Sequence, residues 1–335
     1  MNKILFTFIL MVMASTGFVT ACTNFMLKAK DGTVLVSRTM EFAYDTKSGL
    51  RATPRETKYE MIAPNGKKGM SWTTKYGYIY VDGNGEKAAG DGVNEQGLSF
   101  EALYLPGYTK YQSVPPGEEN QALPYLHLGD WILGNFKTVE EVKAAVPNIY
   151  IFEVIVKELG IAFPLHFSVY DKSGKGIVIE VIDGKIQVHD NPIGVMTNGP
   201  DFKWQLTNIS NYIHLSPIRP VPVEVDGIKF AASGQGAGLM GIPGDISPPD
   251  RFVKMTYMKN FAYQPDDSVG ALILAQHIMN NVDIPIGYIR LSDKPNPPVE
   301  KTQWTVYKDL THGVLYYKTT RVAFKKGDIK KLKRR

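Results

Sequence analysis

A chain with a single thiol has few places to do nucleophilic chemistry, and here the thiol stands at a border. Cys22 is the only cysteine among 335 residues, and it directly follows the apolar stretch "ILFTFILMVMASTGFVTA". Three readings compete. A free cysteine is commonly a small buried hydrophobe. A cysteine behind "VTA" also fits lipid anchoring, although Val19 stands where leucine is usual. A cysteine that becomes residue one after cleavage can act as an N-terminal nucleophile. Its α-amine would titrate at about 7.7–8.0 and its thiol at about 8.5. The amine can then take the thiol proton, directly or through a water, and return it to a leaving amine. No distant histidine is needed.

The chemistry depends on the border being cut. Lys3 supplies a positive n-region, "ILFTFILMVM" an apolar core, and Val19 and Ala21 the small residues that signal peptidase reads. Residues 1–21 are therefore expected to be a signal peptide. Residues 22–335 are expected to be one domain, exported to the periplasm or secreted. The apolar run falls short of the roughly 20 residues of a membrane helix, so no integral span is expected. The lone thiol excludes an intrachain disulfide and a cysteine zinc site. The net charge of +5 is concentrated in the tail "KKGDIKKLKRR" (325–335), which reads as a solvated end. The rest is slightly acidic and suggests no nucleic-acid groove.

The elements that must position the thiol are strand-rich. "CTNFMLKAKDGTVLVSRTMEF" reads as two strands joined at Asp31-Gly32. Further strands are expected over 76–82, 97–105, 165–171, 176–182 and 185–190, and a hairpin turns at His312-Gly313. Helices are expected in "LPYLHLGDWILGNF", "TVEEVKAAV", 201–213, "SPPDRFVKMTYMKNF" and 268–281. The fourth carries Ser247 as N-cap with Asp250 in capping-box position. The last is mostly apolar and expected to be buried. "LSPIRPVPVEVDGIK" reads as a long loop. Strands in hairpins and helices in separate clusters argue for α+β with antiparallel sheets. "GAGLMG" (236–241) formally matches a dinucleotide fingerprint, but no clear strand leads into it and no helix follows. The six histidines show no metal-binding spacing. No cofactor or metal is expected.

Four blocks, "CTNF…DGTVLVSRTMEF", "DGVNEQGLSFEALYLPGY", "VMTNGPDFKWQL" and "GIPGDISPPDRFVK", occur in an order and spacing that resemble the choloylglycine hydrolase and penicillin V acylase family. The resemblance covers most of the chain after residue 21. It implies the four-layer αββα sandwich of cysteine N-terminal nucleophile hydrolases, which cut linear amides. It implies Cys22 as nucleophile and, through its amine, base. Arg38 matches the family's first arginine, a fixed cation that favours thiolate. Glu41 stands where an aspartate usually binds the amine. Tyr104 would contribute a backbone N–H to the oxyanion hole, Asn198 its side-chain amide, and Arg251 a second arginine near the thiol. Each has a plain alternative: a strand-end salt bridge for Arg38 and Glu41, a turn residue for Asn198, a solvent-facing helix residue for Arg251. In register with Cys22, the functional reading is preferred. The substrate expected is a small N-acyl amide: a bulky apolar acyl group on a small polar amine, of conjugated bile salt, penicillin V or N-acyl homoserine lactone type. Tyr104 tilts this toward the acylase side. By analogy with the family a homotetramer is expected. The rival is a lipid-anchored surface or binding protein with Cys22 acylated.

Overall fold

The computed structural model describes residues 21–83, 86–157 and 159–319, with the backbone of the strand Lys325–Asp328. The expected signal peptide, residues 1–21, lies outside the described residues except for Ala21. Two antiparallel sheets, each of seven strands, carry the fold. The first sheet centres on the strands Cys22–Lys28, Val34–Phe42 and Val299–Asp309, which lie side by side. The second runs in order from Lys185–Asp190 through Gly176–Ile182, Leu165–Asp171, Leu98–Tyr104, Glu86–Asn94 and Tyr78–Gly83 to Leu50–Thr53. Helices α1 (Leu128–Asn135) and α2 (Val139–Ala145) pack on the second sheet. Helices α4 (Pro248–Phe261) and α5 (Ser268–Met279) pack on the first, and α3 (Phe202–Asn208) packs against α4. The layers are α, β, β, α, as expected.

The sheets face one another, so their inner strands are buried on both sides. The first strand turns Phe25 and Leu27 toward the apolar cluster under α4 and α5, and Met26 toward the other. The hairpin expected at Asp31-Gly32 forms. Gly32 takes φ +89° and the Asp31 carboxylate accepts the Thr33 N–H at 2.8 Å. This fixes the register Cys22 opposite Met40 and Asn24 opposite Arg38.

Several local expectations are corrected. Among the strands that escaped the pattern are Leu50–Thr53, Lys58–Ile62, Lys68–Thr73 and Glu86–Asn94. The last is rich in glycine, asparagine and acid, all disfavoured in strands. Gly92 is there because the neighbouring strand and α1 both press close. A Cβ at Gly92 would lie 2.7 Å from the Ile79 carbonyl and 2.9 Å from Leu133, and one at Gly129 would lie 2.3 Å from the Ala89 carbonyl. Ser247 caps α4 by position, but its side chain makes no capping bond. One face of α5 is open to solvent, with Val269 66% and Ile273 52% exposed, because the helix covers the sheet as an outer layer. "LSPIRPVPVEVDGIK" contains a small hairpin, Val223–Val225 with Ile228–Phe230. The tail also contributes to the fold: the backbone of Lys325–Asp328 adds an edge strand to Val314–Tyr317.

Candidate active site

Cys22 opens the central strand of the first sheet and is 2% exposed. Its Sγ lies 3.7 Å from Arg38 Nη2 and 3.5 Å from Met40 Sδ, and it accepts the backbone N–H of Glu41. All three residues follow from the hairpin register, since the second strand runs alongside residue 22. Burial pushes the thiol above its ordinary value, and Arg38 pulls it back toward thiolate.

Arg38 is buried between the sheets and held on several sides. Its Nη1 donates to the Gly90 carbonyl at 3.2 Å and faces Asp91 at 3.5 Å, and its guanidinium lies 4.9 Å from the Trp304 ring centre. Behind it, Lys308 Nζ meets Asp91 Oδ1 at 2.6 Å and Glu101 Oε1 at 2.5 Å, with all three side chains fully buried. Ser168 donates to the second Glu101 oxygen at 2.6 Å. Burial alone would lower the Arg38 value; the charges of Cys22 and Asp91 raise it instead.

On the other side of Cys22 the backbone is clamped. In this structure Ala21 is still attached, so the Cys22 nitrogen is an amide, and it donates to Asn198 Oδ1 at 2.7 Å. The same Oδ1 accepts from Arg251 Nη2 at 2.7 Å. Two donors on one oxygen settle which way the amide points. Asn198 Nδ2 accordingly faces Tyr104, donating to its carbonyl at 2.7 Å and leaving its second hydrogen for another acceptor. Arg251 is buried, not solvent-facing. It contacts the Cys22 carbonyl at 2.5 Å and Thr23 Oγ1 at 2.6 Å, so it steadies the backbone of residue 22 and not the sulfur.

Glu41 is buried beside Cys22, but it does not meet the residue 22 nitrogen. Its Oε1 accepts from Thr302 Oγ1 at 2.9 Å, and its Oε2 has no hydrogen-bond partner among the described residues. Burial raises its carboxyl to about 8. The six expected residues thus converge on one point. Missed by the sequence reading were Met40, Asp91, Glu101, Thr302, Glu300 and Lys308. A signal existed for the last: in "TQWTVYKDL" Lys308 falls in phase with the inward Trp304 and Val306.

A cavity of about 110 Å³ opens above the sulfur. Met40, Phe42, Ala102, Tyr104, Phe163, Leu165 and Trp304 line it, with Asp82 and Glu86 at its polar edge. Among the described residues no cluster of three histidine, cysteine or carboxylate side chains could hold a metal. No helix among them is long and apolar enough to cross a membrane.

A thiol at a strand end between two facing sheets, with helical layers outside, fits an N-terminal nucleophile hydrolase. The chain belongs to the choloylglycine hydrolase family of linear amide C–N hydrolases, whose pattern matches residues 22–331. It is similar to a bile salt hydrolase/transferase of Clostridium perfringens, 33% identical over 303 residues, covering 89% of each chain. Its fold is similar to a solved mutant conjugated bile acid hydrolase of Clostridium perfringens, with TM-score 0.81 and 31% identity over 92% of this chain and 93% of that one. It is also similar to the solved penicillin V acylase of Agrobacterium tumefaciens, with TM-score 0.72 and 25% identity over 92% and 87% of the two chains.

Proposed function

We propose that export and removal of residues 1–21 leave Cys22 as an N-terminal nucleophile that hydrolyses amides with a single-ring apolar acyl group. The carrying observation is the sulfur at 3.7 Å from a buried guanidinium, on the floor of an apolar cavity. The freed amine takes the thiol proton, and the thiolate attacks the substrate carbonyl carbon. The carbonyl π pair moves to oxygen, where the second Asn198 Nδ2 hydrogen and the Tyr104 N–H receive it. Collapse breaks the C–N bond, and the Cys22 ammonium gives its proton to the departing amine. Water, deprotonated by the same amine, then attacks the thioester, breaks the C–S bond and restores the thiol.

The wall supports the acyl assignment. It is apolar and aromatic, as a site for an apolar acyl group must be. Tyr104 in that wall favours a phenoxyacetyl-type arm over a fused steroid. Burial of Cys22 at a central strand argues against a lipid on its sulfur.

The test is side-by-side hydrolysis of penicillin V, a conjugated bile salt and an N-acyl homoserine lactone by leader-free protein. The highest kcat/KM is expected for penicillin V. Cys22→Ala should abolish turnover, and Cys22→Ser should lose most of it. Faster cleavage of the steroid conjugate would overturn the acyl assignment. Undiminished Cys22→Ala activity would overturn the mechanism.

A further inference from the structure

One buried carboxylate beside residue 21 has no part in the mechanism above. Glu300, on the strand Val299–Asp309, is fully buried; its Oε1 accepts the Ala21 N–H at 2.7 Å, and its Oε2 has no partner among the described residues. Ala21 is the last leader residue, so this bond disappears on cleavage. The same event turns the Cys22 nitrogen from a one-hydrogen amide into an ammonium with three donors.

Counting acceptors around that nitrogen is informative. Asn198 Oδ1 already takes one hydrogen. Two more acceptors are needed in a buried site, where an unpaired ammonium hydrogen is costly. The second strand offers Glu41 Oε2, and the strand Val299–Asp309 offers the two Glu300 oxygens, one unpartnered and one vacated by Ala21. The charged groups facing this point are Glu41 and Arg38 from the second strand, Glu300 from the strand Val299–Asp309 and Arg251 from α4. Two cations and two carboxylates surround it, so an added ammonium has both carboxylates to itself only where the guanidiniums are already engaged. They are: Arg251 by Cys22 O, Thr23 and Asn198, and Arg38 by Gly90 O, Asp91 and the sulfur.

We propose that Glu300 is a positioning residue for the freed α-amine of Cys22, inheriting through cleavage the place that the Ala21 N–H holds beforehand. The inference rests on the N-terminal nucleophile reading above. One residue step, about 3.8 Å between α-carbons, separates the two nitrogens' residues. Glu300 therefore reaches the amine by a side-chain turn or through one water in the space the leader leaves. Burial raises the Glu300 carboxyl to about 7, against the lowering pull of the Ala21 N–H and Arg251. It can therefore meet the amine charged or share its proton near neutral pH. Glu300 does not line the substrate cavity. Its loss should act on kcat and leave KM alone.

The chain has one cysteine, so [15N]cysteine labels the nitrogen in question and nothing else. Leader-cleaved wild type, Glu300→Gln and Glu300→Asp are titrated by 15N NMR, and the pH profile of kcat/KM is recorded on the best amide substrate. A carboxylate favours the ammonium, so removing it should lower the amine pKa by about half a unit to one unit. The acid limb of kcat/KM should move to lower pH by the same amount. Glu300→Gln should lose about tenfold in kcat with KM unchanged, and Glu300→Asp, which keeps the charge one methylene short of the amine, should show a smaller shift and a smaller loss in the same direction. A purely structural glutamate would lower the melting temperature and leave the titration in place. Wild-type titration in Glu300→Gln overturns the proposal. If Glu300→Gln does not fold, a Glu300→Asp amine and kcat both at wild-type values, with only the melting temperature lowered, overturn it instead. A wild-type nitrogen that does not titrate removes the nucleophile reading itself, and this proposal with it.

Discussion

Lys308→Met is the most informative single change outside the cavity. The wild-type ammonium bridges Asp91 at 2.6 Å and Glu101 at 2.5 Å, and all three side chains are fully buried. Methionine fills similar volume, so the loss is electrostatic and not a cavity. Asp91 keeps Arg38 at 3.5 Å, and Glu101 keeps the Ser168 hydroxyl at 2.6 Å. Two carboxylates are then left with one guanidinium between them. Breaking a buried pair from one side costs about 3–5 kcal/mol, a large share of the roughly 5–15 kcal/mol typical of whole domains. In urea, with a slope near 3 kcal/mol/M at the upper end of the usual range, the midpoint should fall by about 1–2 M. The deficit should depend on pH. Burial already raises the Glu101 carboxyl, and Lys308 is the chief group pulling it down. Without Lys308 the folded-state value rises further above the unfolded one. Such a group binds its proton more tightly when folded, so its penalty is greatest at neutral pH and shrinks as pH falls through the folded value. The mutant should close the gap to wild type on acidification, and adding Glu101→Gln should recover part of the loss at pH 7. A deficit under about 1 kcal/mol at neutral pH, or one flat with pH, would refute the account.

Two further outcomes follow from the same geometry. Arg38→Met removes the cation 3.7 Å from the sulfur. The thiol should rise without that cation, so iodoacetamide should alkylate the mutant about tenfold more slowly at pH 8; an unchanged rate-against-pH curve would disprove the coupling. Gly129→Ala places a Cβ 2.3 Å from the Ala89 carbonyl and 2.7 Å from the Phe100 ring. The clash should outweigh the helix-propensity gain of about 1 kcal/mol and cost about 1–3 kcal/mol, seen as a lower melting temperature. An equal or higher one would mean that α1 can lift off the sheet freely.

The readable part of this protein was whatever a short segment determines by itself. The hairpin of the first two strands has a turn signal and alternating apolar residues, and it alone brings Arg38 and Glu41 to Cys22. The strand Glu86–Asn94 could not be read in that way. Its small and polar residues answer to α1 on one side and to the buried ions on the other, and both partners lie far away in sequence. Glu300 was hidden for a related reason. Nothing in "PVEKTQW" marks it, because its partner is the N–H of a residue 279 positions earlier.

The site also has a division of labour that the expected roles did not anticipate. Both arginines were expected to serve the thiol. Only Arg38 touches sulfur, and its cation is balanced from behind by Asp91 and, through Asp91, by Lys308 and Glu101. Arg251 holds the Cys22 carbonyl, Thr23 and the Asn198 oxygen. The first arrangement sets how easily the thiolate forms, and the second sets where the nitrogen and the Asn198 amide point. A nucleophile that is its own base needs both, because sulfur and nitrogen share one α-carbon and cannot be aimed independently by rotating a second residue. Anchoring the carbonyl from α4 and the sulfur from the neighbouring strand fixes that single residue at its two ends. Arg251→Lys should therefore impair kcat while leaving the pH at which the thiol alkylates close to wild type, the reverse of Arg38→Met. Equal shifts in alkylation pH for the two variants would show that the arginines act on one group after all.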